Sequence, residues 1–448
     1  MFRTRILAGV AGIVFLTGCS FDLGGSMGLG GSVKPQAQVV GDEPYAVKTG
    51  AAILARGGSA ADAATAIYFV MSVTYPAVAG LGGGGICIVH DSKQNVSEEF
   101  IFLPRDAAGG GAFAIPGNVR GFAAMQGAYG VLPWQKVVAP GEGYARAGFT
   151  VTRALRARLG GAADTVRLDA GLAGEFMDEA GQIKDIGAVV SNSELADTLA
   201  VIRTQGPEVF YSGTPAQAIV EYSASQGGAI AASELAAAKP DRLTPRVTQV
   251  GGNYVFLPVA RNGTAAGGFI GALIDTVSRG QADANVAPAG AVQRTLTSLN
   301  LPNPTSDLGA TGFAVTDAGG QAVACAVTMN GSFGSGHTAR GTGVTLARAN
   351  AGAASAFLAP VIASSSDNGP ALLAGAGAGG PNGSAVIADA LLRLGRGEAI
   401  LTSSDLHASG STPYDTANAI VCTGAVCTAL PDRSANGLGL AVPMPETK

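Results

Sequence analysis

The chain has 448 residues, with 28 Lys and Arg against 32 Asp and Glu and a formal net charge of −4. Hydrophobic residues make up 47% and charged ones 13%, which excludes a globally disordered chain. No run of Lys or Arg is present, so nucleic acid is not expected as a partner.

In chain order the N-terminus comes first. "MFRTRILAGVAGIVFLTGCS" sets Arg3 and Arg5 ahead of an apolar run from Ile6 to Leu16. That run is too short for a good membrane span and has the form of a secretory signal. Leu16-Thr17-Gly18-Cys19 resembles the bacterial lipobox, which makes Cys19 the expected site of lipidation. Ser20, rather than Asp, resembles the sorting signal for the outer membrane. The expectation is a lipoprotein signal over residues 1–19 and a Gly/Ser-rich tether over 20–40. The protein would then sit in the bacterial cell envelope, lipid-anchored to the outer membrane and facing the periplasm.

Residues 46–74 carry two helical patterns broken at Gly57-Gly58, with Ser59 or Asp62 placed to cap the second. "GLGGGGICIVHD" follows, a glycine run leading into a strand that ends at Asp91. Arg105 comes just after an apolar strand in "FIFLPRDAA". Turns and short helices alternate from residue 115 to 159. A helix, a Gly-Gly turn and a helix capped by Ser233 follow from residue 209. Residues 262–310 are weakly periodic and read in part as a linker. After residue 311 the period changes to two, and "TGFAVTD", "QAVACAV", "LAPVIAS", "ALLAGAGAGG" and "AIVCTGAVC" read as strands. Residues 384–397 read as one helix with a Gly cap. Helices first and strands later imply a layered α+β architecture.

Five cysteines are present. Cys422 and Cys427 flank "TGAV" and can bond across a hairpin in an exported protein. Cys87 and Cys325 lie in apolar runs and read as buried small hydrophobes. Three His and no close Cys/His spacing give no support for a metal site, and no cofactor is expected.

The pieces "GGSAADAATA" (57–66), "PRDAA" (104–108), "IPGNVRGFAAM" (115–125), "YGVLPW" (129–134), "VFYSGTPAQAI" (209–219), "FAVTDAGGQAVACAVTMNGSFGSG" (313–336), "LAPVI" (358–362) and "GAGAGG" (375–380) resemble the gamma-glutamyltranspeptidase family, in the family's order. The resemblance implies an N-terminal-nucleophile hydrolase fold: an αββα sandwich with two central, mostly antiparallel sheets between helical layers. It makes residues 41–448 one domain, with 41–309 like the large subunit and 310–448 like the small one. It also implies self-cleavage before a Thr, whose hydroxyl then attacks a gamma-glutamyl amide such as glutathione. Backbone N–H groups would hold the oxyanion, and an Arg the substrate carboxylate.

Counting back seven residues from Asp317 puts Ala310 at the nucleophile position, Thr311 at the family's second Thr and Gly312 at its His. Thr328 matches the Thr that bonds the nucleophile. Gly379 and Gly380 match the oxyanion pair. Arg105 and Asn330 match substrate-binding residues. The family's Gln and Asp fall on Ala349 and Gly352, and its paired Ser on Ala356 and Phe357. Three readings follow. One is a family member without gamma-glutamyl transfer, because a methyl cannot attack a carbonyl. Another is an active transferase or hydrolase of small amide or gamma-glutamyl compounds that cuts itself before Thr311 and uses that residue as nucleophile. The third is a non-catalytic envelope scaffold.

Overall fold

The strand Ala310–Thr316 is buried on both faces, which explains why its sequence lacks polar alternation. The computed structural model describes residues 36–259, 266–279, 288–350, 354–400, 414–424 and 426–442. The leader, Cys19, most of the expected tether and Gly352 lie outside these residues.

Two antiparallel sheets occupy the centre. The first has the order Leu438–Val442, Ala37–Gly41, Ala310–Thr316, Gln321–Thr328, Gly84–Asp91, Val96–Ile101, Asp241–Leu243. The second runs Val426–Leu430, Thr416–Thr423, Ala371–Ala378, Ala359–Ser364, Asn253–Leu257, Arg246–Val250. Side chains alternate across each strand. Val40, Ile88, Ala314, Ile362 and Ile420 therefore meet between the sheets, while Phe313, Val315 and Val323 turn to the outer helices.

The helix Ala60–Thr74 is buried along its whole length, as its nearly all-apolar sequence demands. Ser59 and Asp62 close a capping box at its start. The other face is covered by Gly268–Arg279, Pro288–Ser298 and Pro381–Gly395, with Phe269, Leu273, Val361 and Leu391 in one cluster. The result is helix, sheet, sheet, helix. Among the described residues no helix is long and apolar enough to cross a membrane.

Several expectations are corrected. The segment read partly as a linker, 262–310, contains the helices Gly268–Arg279 and Pro288–Ser298. Phe269, Ile270, Leu273 and Ile274 keep the helical spacing of one buried face, so the 3.6-residue period was present and was passed over. Residues 37–40, read as tether, belong instead to the strand Ala37–Gly41, which pairs on both sides within the first sheet. Ser233 does not cap its helix. Ala232–Ala237 is preceded by Ala231, whose N–H donates to the Glu234 carboxylate at 3.2 Å. Cys87 and Cys325 are not free hydrophobes: they face each other across neighbouring strands and are bonded. Cys422 and Cys427 are bonded across the Thr416–Thr423/Val426–Leu430 hairpin.

Candidate functional site

Ala310 opens its strand opposite Thr328. Its methyl packs with Ile86, Ala326, Leu358 and Ala378, on the sheet face that also carries Thr328. Thr311 points to the other face. Its hydroxyl is fully buried and donates to Asp42 Oδ2 at 2.6 Å. The same carboxylate accepts from Thr416 Oγ1 at 2.7 Å and Asn418 Nδ2 at 2.7 Å. Asp42 thus ties the end of Ala37–Gly41 to the starts of two strands from different sheets. Burial pushes its carboxyl up from the ordinary value, against those donors.

The residues just before Ala310 remain packed on the site. Gly309 O accepts from Met329 N at 2.8 Å, and Leu308 O accepts from Thr328 Oγ1 at 3.2 Å. Gly309 has φ 60°, and a Cβ there would collide with the Gly331 carbonyl, so glycine is required. Thr328 Oγ1 also accepts from Asn330 N at 2.9 Å. Asn330 Nδ2 donates to Arg348 O at 2.9 Å, and its Oδ1 is buried without a partner.

A buried guanidinium organises this region. Arg158 pairs with Asp307 at 2.6 Å. It donates to Ala310 O and Tyr414 O, each at 3.2 Å, and to Tyr75 Oη at 3.2 Å. Burial works against its charge, but Asp307 and Tyr75 outweigh that and hold its pKa above the ordinary value. Gly379 and Gly380 sit at the start of helix Pro381–Gly395. The next residue but one, Asn382, gives its backbone N–H (3.1 Å) and its Nδ2 (2.7 Å) to Asp415 Oδ2. A carboxylate of this chain therefore occupies that helix end, the place where an anion is favoured.

Ala310, Thr328, Asn330 and the 307–309 segment come together. Arg105 is exposed, and its Nη2 donates to Lys239 O at 3.1 Å. Ala349, Ala356 and Phe357 are buried apolar residues. The sequence reading missed Asp42, Arg158, Asp307, Asp415 and Asn418. Arg158 had a signal, since it shares a helical face with Ala154, Leu155 and Leu159, an apolar stripe in which one cation stands out. Asp42 had one too, as an acid directly after the strand-like "AQVVG".

The gamma-glutamyltranspeptidase family model matches residues 46–285, more than half of the chain. Glutathione hydrolase 2 of Arabidopsis thaliana is 30% identical over 212 residues, 44% of this chain and 36% of that protein. Glutathione hydrolase proenzyme of Escherichia coli (strain K12) is 30% identical over 239 residues, 49% of this chain and 40% of that protein. The chain thus spans well under half the length of these relatives. The structure of cephalosporin acylase from Bacillus halodurans superposes with a TM-score of 0.69, covering 91% of this chain and 96% of that one at 17% identity, a likeness of fold alone. With the two-sheet sandwich and the family model in agreement, this chain belongs to the gamma-glutamyltranspeptidase family.

Proposed function

We propose that this chain is an envelope lipoprotein of the family that performs no gamma-glutamyl transfer. The observation that carries the reading is Ala310. It opens the strand opposite Thr328, the position of the family's nucleophile, and supplies a methyl group among other apolar side chains. The nearest hydroxyl in sequence, Thr311, is turned to the opposite face and committed to Asp42. Asp415 adds to this: held by the Asn382 donors, it sets an internal carboxylate beside Gly380 of the pair that matches the family's oxyanion glycines. The lipobox-like Cys19 supports the envelope placement, and so do the two disulfides, which persist in oxidising compartments.

A second reading has one observation in its favour. The peptide bond between Ala310 and Thr311 has its carbonyl on the Arg158 guanidinium and the following hydroxyl on the Asp42 carboxylate. Those are the two contacts that cleavage at this bond would call on.

One experiment separates the readings. The protein lacking residues 1–20 is incubated for days, its intact mass measured, and its turnover of a gamma-glutamyl anilide assayed. One uncut chain with no anilide hydrolysis is expected. Two fragments meeting at residues 310 and 311 would replace this reading with the second.

A further inference from the structure

Two buried carboxyl groups have no ion-pair partner among the described residues. Glu43 caps the helix Pro44–Ala55 directly after Asp42. Its Oε2 accepts from Ala46 N at 2.8 Å and from Thr74 Oγ1 at 2.8 Å, and its Oε1 is buried with no partner. Glu175 lies at the end of helix Ala170–Phe176. It takes one amide donor, Asn192 Nδ2 at 2.8 Å, and is the one ionisable side chain lining a small cavity shared with Ser72, Gly80 and Thr345. The Lys184 ammonium, close by, goes to the Glu175 main-chain carbonyl at 2.7 Å.

A buried carboxylate without a cation is costly, whereas the neutral acid is tolerated. We propose that Glu43 and Glu175 form a pH-sensitive device that keeps the first helical layer closed in acid and loosens it as the medium turns alkaline. The geometry gives the device reach. Glu43 joins the helices Pro44–Ala55 and Ala60–Thr74 through Ala46 and Thr74. The residue before it, Asp42, holds Thr311 at the start of the central strand.

The charges around both groups do not reverse this. Around Glu43 stand Lys48 and Tyr45 on its own helix, Tyr144 on the helix Trp134–Ala147, and Asp42. Around Glu175 stand Asn192 and Lys184. Burial dominates in each case: it raises the Glu43 carboxyl from 4.5 to about 7 and that of Glu175 from 4.5 to about 8. A raised acid pKa means that the folded state holds the proton more tightly. The stability is therefore complete below the unfolded value of 4.5 and is lost as pH rises through about 7 and about 8.

The test is the melting temperature of the mature chain from pH 5 to pH 9, at constant ionic strength, with and without Glu43→Gln and Glu175→Gln. Wild type should melt progressively lower as pH rises. The double variant should lose most of that slope; Asp42 and Asp317, whose carboxyls burial also raises, act in the same direction, and His90, whose pKa burial lowers, acts in the opposite one. The control Glu179→Gln, at an exposed position, should follow wild type. Hydrogen exchange at the Ala46 amide should speed up with pH beyond the intrinsic rate in wild type, and not in Glu43→Gln. A wild-type melting profile that is flat or rises from pH 5 to pH 8 would overturn the proposal. So would a double variant that keeps the wild-type slope.

Discussion

Ala310 and Thr311 are neighbours in sequence, yet their side chains enter different environments. Alternation along the strand sends the methyl into Ile86, Ala326, Leu358 and Ala378 and the hydroxyl to Asp42. Thr311→Val removes one of the donors to a buried carboxylate. It should cost about 1–3 kcal/mol in urea unfolding at neutral pH. Ala310→Thr adds two heavy atoms to a filled site. It should also cost about 1–3 kcal/mol through overpacking, and it sets a hydroxyl beside Thr328. Mass spectrometry of that variant should show slow cleavage before residue 310. An uncut variant would mean that a hydroxyl at this position is not enough for cleavage. Arg158 is the most consequential side chain of the region, because it joins Asp307, Ala310, Tyr414 and Tyr75. Arg158→Met strands the Asp307 carboxylate and should cost about 3–5 kcal/mol. Adding Asp307→Asn should recover part of that loss, as a double-mutant cycle with chemical denaturation would show.

At the scale of elements, the two disulfides join strand pairs in different sheets and close loops of very different length. Cys87–Cys325 spans 238 residues and fastens Gly84–Asp91 to Gln321–Thr328. Cys422–Cys427 spans 5 and fastens one hairpin. A longer loop loses more unfolded-state entropy on closure. Replacing both Cys87 and Cys325 by Ala should therefore lower stability by at least about 2–4 kcal/mol, and more than the same change at Cys422 and Cys427. Calorimetry of the two double variants gives the comparison. Equal losses would show that strain or packing, rather than loop closure, sets the effect.

At the scale of the molecule, the fold is held where distant parts of the chain meet. Ala37–Gly41 lies between Leu438–Val442 and Ala310–Thr316, so the beginning and end of the described chain share one sheet. Removing residues 438–442 should unfold the protein as a unit, seen as loss of both far- and near-ultraviolet circular dichroism. Cellular fractionation tests the proposed anchor. The full chain is expected with the membranes, and Cys19→Ala in the soluble fraction. Equal release of both would remove the lipid from the account.

The sequence by itself determined the family pattern, the main strands after residue 310, the capped helix Ala60–Thr74 and the identity of the residue at position 310, because these depend on local order and periodicity. The family resemblance also matched Thr328 to the residue that bonds the nucleophile, and the strand pairing sets it opposite position 310. The helices of 268–298 were legible as well, since Phe269, Ile270, Leu273 and Ile274 recur at helical spacing, and it was the Gly-, Ala- and Asn-rich sequence on either side that suggested a linker. Only the tertiary structure decided that Cys87 meets Cys325, that Asp42 holds Thr311, that Asp415 lies at the start of helix Pro381–Gly395, and that Arg158 gathers three separate segments. Each of those contacts joins residues far apart in sequence. Their partners are chosen by how two sheets and their helices pack, and no local pattern in the chain encodes that choice.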